Sequence, residues 1–339
     1  MYFPKIIFYF ILRFPQINKY IYRVSQDHGT SPFFSLFLSN LGPLLFILFI
    51  NSLTALFRTA SYLLFADDLK IYLKIENESD CVQLQLDLNR AVKWSEENKL
   101  FFNISKCAVI SYSRKNDSVL YNYVINERPL TRVHEVRDLG VTFDKRLTFN
   151  NHIIKIVNKA MQVYGFIVRH TRDFTDPNCI KQLYMSLVRS LLEYASVIWS
   201  PFYLCYKYQI EKIQNKIVRY MYYKESKEFH FNISVTWLCE KYGLMRLEKR
   251  REMINILYLF KTITGIADNS EFLIRINFLV PSYNTRQANT FYLSTVAMTN
   301  LHSNSPLYRL CHGYNRLEVE LDIYNNNYDT FKKRLAELF

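Results

Sequence analysis

The sequence predicts an α+β fold in two parts, an antiparallel sheet with helices on one side over 1–145 and an all-α region over 146–339. Three observations predict it. Short apolar runs with strand character, bounded by turn-prone residues, crowd the first part. Beyond about residue 146 the apolar residues recur at helical spacing. Half of the 339 residues are apolar and only 7 are Gly and 9 are Pro, so packed cores are affordable and long disordered linkers are not expected. Tyr and Phe stand at 26 each.

The first element is ambiguous. No charge occurs from Gly29 to Phe57, a length that passes for a membrane span. Pro32, Asn40, the Gly42 and Pro43 pair and Asn51 interrupt it, and in lipid such breaks leave backbone groups unpaired. A membrane anchor over 29–57 is therefore the weaker reading and a buried helix the stronger, with Asn51 as a buried hydrogen-bonding residue. The apolar run 6–12 is short for a signal core, and no small-residue cleavage site follows it.

Next come two apolar, aromatic-rich runs, 61–65 and 69–73, that read as strands. Ala66-Asp67-Asp68 between them places adjacent carboxylates at a tight turn. Carboxylates beside apolar strands are costly unless compensated, and a divalent cation compensates them well. Phosphoryl transfer by two metal ions uses such a pair; a plain polar turn is the bland alternative.

An amphipathic helix follows over 78–100, started by Ser79 and Asp80. Residues 109–113 form a strand, 119–125 and 129–133 a hairpin around Asn126-Glu127, and 139–143 another strand. Helices are then expected over 152–171, from Asp176-Pro177 through Leu192, over 206–223, over 244–264 and over 328–339. Asn325 to Asn327 read as a loop. The boundary between the parts falls near 143–150.

The formal net charge is +13, with a pI near 9.3. Such a surplus attracts a polyanion over about 8 Å at physiological salt. Nucleic acid is the usual partner. Candidate phosphate contacts are Lys155, Lys159 and Arg169 on one helix and Lys212, Lys216 and Arg219 on another; a solvated charged face is the alternative. His152 and His170 stand alone and are not read as ligands. The six cysteines are scattered without a C-x-x-C pair, so no zinc site is expected, and they read as buried, reduced thiols.

Phe65-Ala66-Asp67-Asp68 resembles the catalytic Tyr/Phe-x-Asp-Asp box of reverse transcriptases. Leu41-Gly42-Pro43-Leu44-Leu45-Phe46 with Ile50-Asn51-Ser52-Leu53 is similar to the segment upstream of that box in Jockey-like non-LTR retrotransposons. Further resemblances are Trp94 to Asn103-Ile104-Ser105-Lys106-Cys107, Asp138-Leu139-Gly140-Val141 with Asp144, Leu147-Thr148-Phe149 and His152-Ile153. Leu192-Glu193-Tyr194-Ala195 with Trp199-Ser200-Pro201, Leu247-Glu248-Lys249-Arg250-Arg251, Thr285-Arg286 and Ser305-Pro306-Leu307-Tyr308 complete it. The similarity runs from about Leu41 to the end.

The resemblance implies a partial polymerase palm followed by a helical thumb and C-terminal region. It implies RNA-directed DNA polymerase chemistry, with Asp67 and Asp68 as Mg2+ ligands (Mn2+ as the alternative ion), held weakly if the site is incomplete, Lys106 near the leaving pyrophosphate, and RNA template or RNA–DNA duplex and, if active, deoxynucleotides as partners. A solvated loop lysine is the alternative for Lys106.

Two departures count against activity. The family's Gly-Val-Pro-Gln-Gly-Ser loop is replaced by Ser35-Leu36-Phe37-Leu38-Ser39-Asn40, and no first-aspartate motif precedes the box. Asp27, the only earlier acidic residue, lacks that context, and the finger region is absent. The expectation is an N-terminally truncated polymerase remnant, inactive or nearly so. The alternatives are a non-enzymatic basic nucleic-acid-binding protein and a membrane-anchored protein. Residence in nucleus or cytoplasm is left open.

Overall fold

The computed structural model describes residues 7–13, 32–113, 119–228, 232–280, 289–293, 299–317 and 321–339, with 7–13, 32–40, 300 and 301 described by backbone alone. The chain divides into two compact units, Met1–Thr148 and Phe149–Phe339.

The first unit is built on strands β1 Ile7–Arg13, β2 Ser61–Phe65, β3 Asp68–Lys74, β4 Ala108–Tyr112, β5 Val124–Ile125, β6 Arg128–Pro129, β7 Thr131–Val133, β8 Glu135–Asp138 and β9 Val141–Asp144. Its two long helices are α1 Pro32–Ile50 and α2 Glu78–Glu97. Five strands form one sheet in the order β2-β3-β1-β4-β7, antiparallel except for the parallel β4–β7 pair. β5–β6 and β8–β9 are separate hairpins.

Leu84, Leu88 and Ala91 of α2 join Leu69, Ile71 and Val109 in the core of this unit. Because side chains alternate along a strand, Asp68, Lys70 and Tyr72 occupy the opposite face of β3. The start of α2 is a capping box on Asn77: its Oδ1 accepts from the Asp80 N–H at 3.1 Å, and Asp80 Oδ2 accepts from the Asn77 N–H at 3.1 Å.

Several expectations change. The run 6–12 supplies β1, the central strand of the sheet. α1 continues through Gly42 and Pro43, because one missing N–H, roughly 3 kcal/mol, breaks the ladder only locally. It is not a buried helix over its described side chains. Leu44, Leu45, Ile47, Leu48 and Phe49 are exposed, and burial begins at Ile50 and Leu53. Asn51 is exposed, because it opens the short 3-10 turn Asn51–Leu56. Among the described residues no helix is long and apolar enough to cross a membrane.

α2 starts at an Asn77 cap, not at Ser79, whose hydroxyl donates to Asn77 at 2.6 Å. It ends at Glu97, three residues early. Asn126 and Glu127, both at positive φ (48° and 63°), form the predicted turn, but it joins only β5 to β6; 131–133 pair instead with β4. The strand expected over 139–143 begins at Val141, since Leu139 (φ 42°) and Gly140 (φ 86°) make the β8–β9 turn. Cys179 and Cys205 are exposed, while Cys81, Cys107, Cys239 and Cys311 are buried, all as free thiols.

The second unit is helical. It comprises α3 Asn150–His170, α4 Pro177–Leu183, a π-helical turn Tyr184–Arg189, α5 Ser190–Glu193 and α6 Ser196–Trp199, then α7 Leu204–Ser226 and α8 Val235–Lys241. α9 Leu247–Ile263, α10 Ser270–Leu273, α11 Asn300–Ser303, α12 Pro306–Asn315 and α13 Tyr328–Glu337 complete it. Asp176 caps α4 through the Asn178 N–H at 2.8 Å, with Pro177 in the first turn as its φ favours.

α3 packs on α7, and α9 packs on α12 and α13. Ile256, Leu259, Phe260, Leu310, Phe331 and Leu335 form the latter core. Tyr184 donates to Gln214 Oε1 at 2.6 Å, and Gln214 Nε2 donates to the Met245 carbonyl at 3.1 Å, tying three segments together inside the bundle.

Candidate active site at a hairpin tip

β2 and β3 pair with Phe65 opposite Asp68, leaving Ala66 and Asp67 as a two-residue turn. Ala66 takes the left-handed conformation at φ 49°, which costs a residue with a Cβ roughly 1–2 kcal/mol. Asp67 and Asp68 are half-buried at the tip.

The strand beside β3 is β1, whose Arg13 is the register partner of Asp68. On its other side β1 pairs Ile11 with Ala108, so the turn Ile104–Lys106 lies at the same end of the sheet as Arg13 and Asp68. The structure thus gathers Asp67, Asp68 and Lys106 at one sheet end. Lys106 itself is exposed.

Two features behind the tip were not foreseen. Asp87 of α2 is fully buried and accepts from the N–H groups of Arg58 (3.1 Å), Thr59 (2.9 Å) and Ala60 (2.8 Å) and from the Thr59 hydroxyl (2.7 Å). Arg90 also pairs with it. Burial opposes its ionisation, yet these donors outweigh burial and hold its carboxyl below the usual value. Asp87 therefore fixes the chain that enters β2. One signal was available: position 87 falls on the same helical face as Leu84, Leu88 and Ala91.

The second feature is a buried ion pair, Lys70 to Asp138 at 2.6 Å, which ties β3 to β8. Burial, helped by Asp138 and Asp144, pushes the nearby Tyr112 phenol far up.

Carboxylates suit a hard cation, but a two-metal centre needs further donors around the same point. Among the described residues no group of three or more His, Cys, Asp or Glu side chains is placed to hold a metal ion. β1, the strand paired with β3, reads Ile-Phe-Tyr-Phe-Ile-Leu-Arg and carries no carboxylate. Asp27 lies outside the described residues. The described donor set does not fit a two-metal centre.

Of the basic candidates, Lys155, Lys159, Arg169 and Lys212 are exposed, whereas Lys216 and Arg219 are half-buried. All six lie on the packed pair α3 and α7. Lys216 sits 6.0 Å from the Tyr164 ring centre, spanning the two helices. Lys155 and Lys159 are one turn apart, and Lys212, Lys216 and Arg219 share a face of α7. His152 is buried edge-on to Trp199 at 5.2 Å, and His170 packs on Phe166 at 4.2 Å.

The family model for reverse transcriptase (RNA-dependent DNA polymerase) matches residues 14–143, which include the whole hairpin. The chain is 25% identical over 188 residues to the "Probable RNA-directed DNA polymerase from transposon X-element" of Drosophila melanogaster. That alignment covers 53% of this chain and 21% of the relative, so the chain spans about a fifth of the relative's length. No solved structure matches. Residues 14–143 are thus similar to reverse transcriptases, and part of the chain is similar to the polymerase of a transposon.

Proposed function

We propose that this chain is a remnant of a retrotransposon RNA-directed DNA polymerase, with 1–145 as part of a palm and 146–339 as a thumb and C-terminal region. By itself it binds an RNA template or RNA–DNA duplex and transfers nucleotides weakly or not at all. The observation that carries the reading is the β2–β3 hairpin, which presents Asp67 and Asp68 at its tip inside the family match.

Nucleotidyl transfer joins a primer 3′-hydroxyl to the α-phosphorus of a deoxynucleoside triphosphate and releases pyrophosphate. In this reading Asp67 and Asp68 are the residues that would hold Mg2+ or Mn2+, and Lys106, at the same sheet end, faces the leaving group. The neighbouring strand, Ile7–Arg13, carries no carboxylate to share a second metal ion. The exposed lysines and arginines of α3 and α7 support duplex binding through phosphate contacts.

Primer extension on an RNA template with Mg2+ or Mn2+, run beside duplex binding, tests this. The expected outcome is binding retained in both wild type and Asp67→Asn, with extension at background. Extension that disappears in Asp67→Asn would show a completed site and overturn the inactive reading.

A further inference from the structure

The second unit holds a cavity of about 600 Å³, walled by α7, α9, α12, the segment after α6 and the last two residues. Its polar lining is unusual in what it leaves unused. Arg251 is 3% exposed, and both of its terminal nitrogens, Nη1 and Nη2, are buried without a hydrogen-bond partner. Arg309 is pinned by its Nε to the Asn304 carbonyl (2.9 Å) and by Nη2 to the Val197 carbonyl (2.7 Å), which leaves Nη1 buried and unpartnered. Both arginines line the cavity, and three of their terminal nitrogens are buried without a hydrogen-bond partner.

A fold does not keep an unpaired buried guanidinium without compensation, because desolvating the charge is costly. Of the nearby acceptors, Glu248 is bonded to Lys207 at 2.8 Å and Glu211 Oε1 accepts from the Leu247 N–H at 3.2 Å, while Glu211 Oε2 and Asn255 Oδ1 are buried without a partner. The wall carries Lys207, Arg251, Arg309 and Arg316 against Glu248 and Glu252. Burial and the neighbouring Arg251 press Arg309 down to about 10, so its guanidinium stays charged at neutral pH, and burial presses Arg251 down as well.

We propose that this cavity is a phosphomonoester site, in which Arg251 and Arg309 hold the phosphoryl oxygens. Two forked guanidiniums match a dianion with several acceptor oxygens better than a single carboxylate. The cavity exceeds what a phosphate needs. Tyr308, stacked on His312 at 5.3 Å, and Phe202 supply flat apolar walls for a base. The ligand class is therefore a nucleoside monophosphate, either free or as the phosphorylated end of a strand. The site is confined to the second unit and does not depend on the hairpin carboxylates.

Thermal unfolding of the full chain tests it, with inorganic phosphate, AMP, adenosine, and a short oligonucleotide bearing or lacking a 5′-phosphate as probes. Phosphate and AMP are expected to raise Tm saturably by several degrees and adenosine to leave it unchanged. Arg251→Met should lose the response and Asp67→Asn should keep it, which separates this site from the polymerase reading. Tighter saturation by AMP identifies a free nucleotide as ligand, and tighter saturation by the phosphorylated strand identifies a strand end. Should Arg251→Met not fold, saturable broadening of the AMP 31P signal by wild type, reversed by inorganic phosphate, decides instead. No response to any phosphate-bearing probe, or a response that survives in Arg251→Met, overturns the proposal.

Discussion

Replacing Asp87 by Asn should loosen the hairpin without touching the hairpin itself. Asp87 is fully buried and receives three main-chain N–H groups and a hydroxyl from residues 58–60, besides Arg90. An Asn side chain keeps one acceptor oxygen and turns an NH2 toward donors. At about 1.5–3 kcal/mol for each hydrogen bond to a charged group, losing two of them costs roughly 3–5 kcal/mol, in line with breaking a buried charge network. Because 1.4 kcal/mol is a factor of ten, amide-exchange protection across 61–74 should fall by about two to three and a half orders of magnitude. The folded carboxyl is held below its ordinary value of 3.8, so its contribution is full above that pH and is lost as pH falls through the lower folded value. The difference between wild type and Asp87→Asn should thus be large at pH 7 and shrink below about pH 4. Unchanged protection at pH 7, with the variant folded, would refute the claim that Asp87 anchors the chain entering β2.

Three other outcomes are expected. Ala66→Gly removes the Cβ from a position at φ 49° and should stabilise the hairpin by about 1 kcal/mol, read as slower exchange of the β2–β3 amides; faster exchange would show that Ala66 is unstrained. Tyr184→Phe leaves Gln214 Oε1 without its buried donor and should cost about 1–3 kcal/mol in urea unfolding of the second unit, whereas a neutral effect would mean that the bond contributes nothing. Changing Lys155 and Lys159 together to Ala should lower the slope of log affinity against log salt for a duplex by roughly 1–2, and an unaltered slope would remove α3 from the interface.

Much of the first unit was legible because it is local. Residues 61–65 and 69–73 pair as strands around Ala66 and Asp67, and Asn126 and Glu127 turn the chain as Asn-rich turns do. The misreadings were places where residue type did not tell a turn or surface position from strand or core. Leu139 looked like strand but sits at positive φ before Gly140, and Asn51 looked buried but opens a 3-10 turn. The Asp67-Asp68 pair was visible as a motif, while its surroundings were not, since strand β1 beside it and the buried Asp87 behind the chain entering β2 come from distant parts of the sequence.

By itself the sequence determined the alternation of strands and helices, the turn that presents Asp67 and Asp68, the basic surplus and the resemblance to reverse transcriptases. These depend on residue type and spacing along a few turns or strands. Only the tertiary structure decided that 7–13 form the central strand, that Asp87 is a buried anchor, and that Arg251 and Arg309 meet in a cavity with donors to spare. Each of those depends on which distant segments exclude water from one another, and burial, unlike periodicity, is set by the fold as a whole.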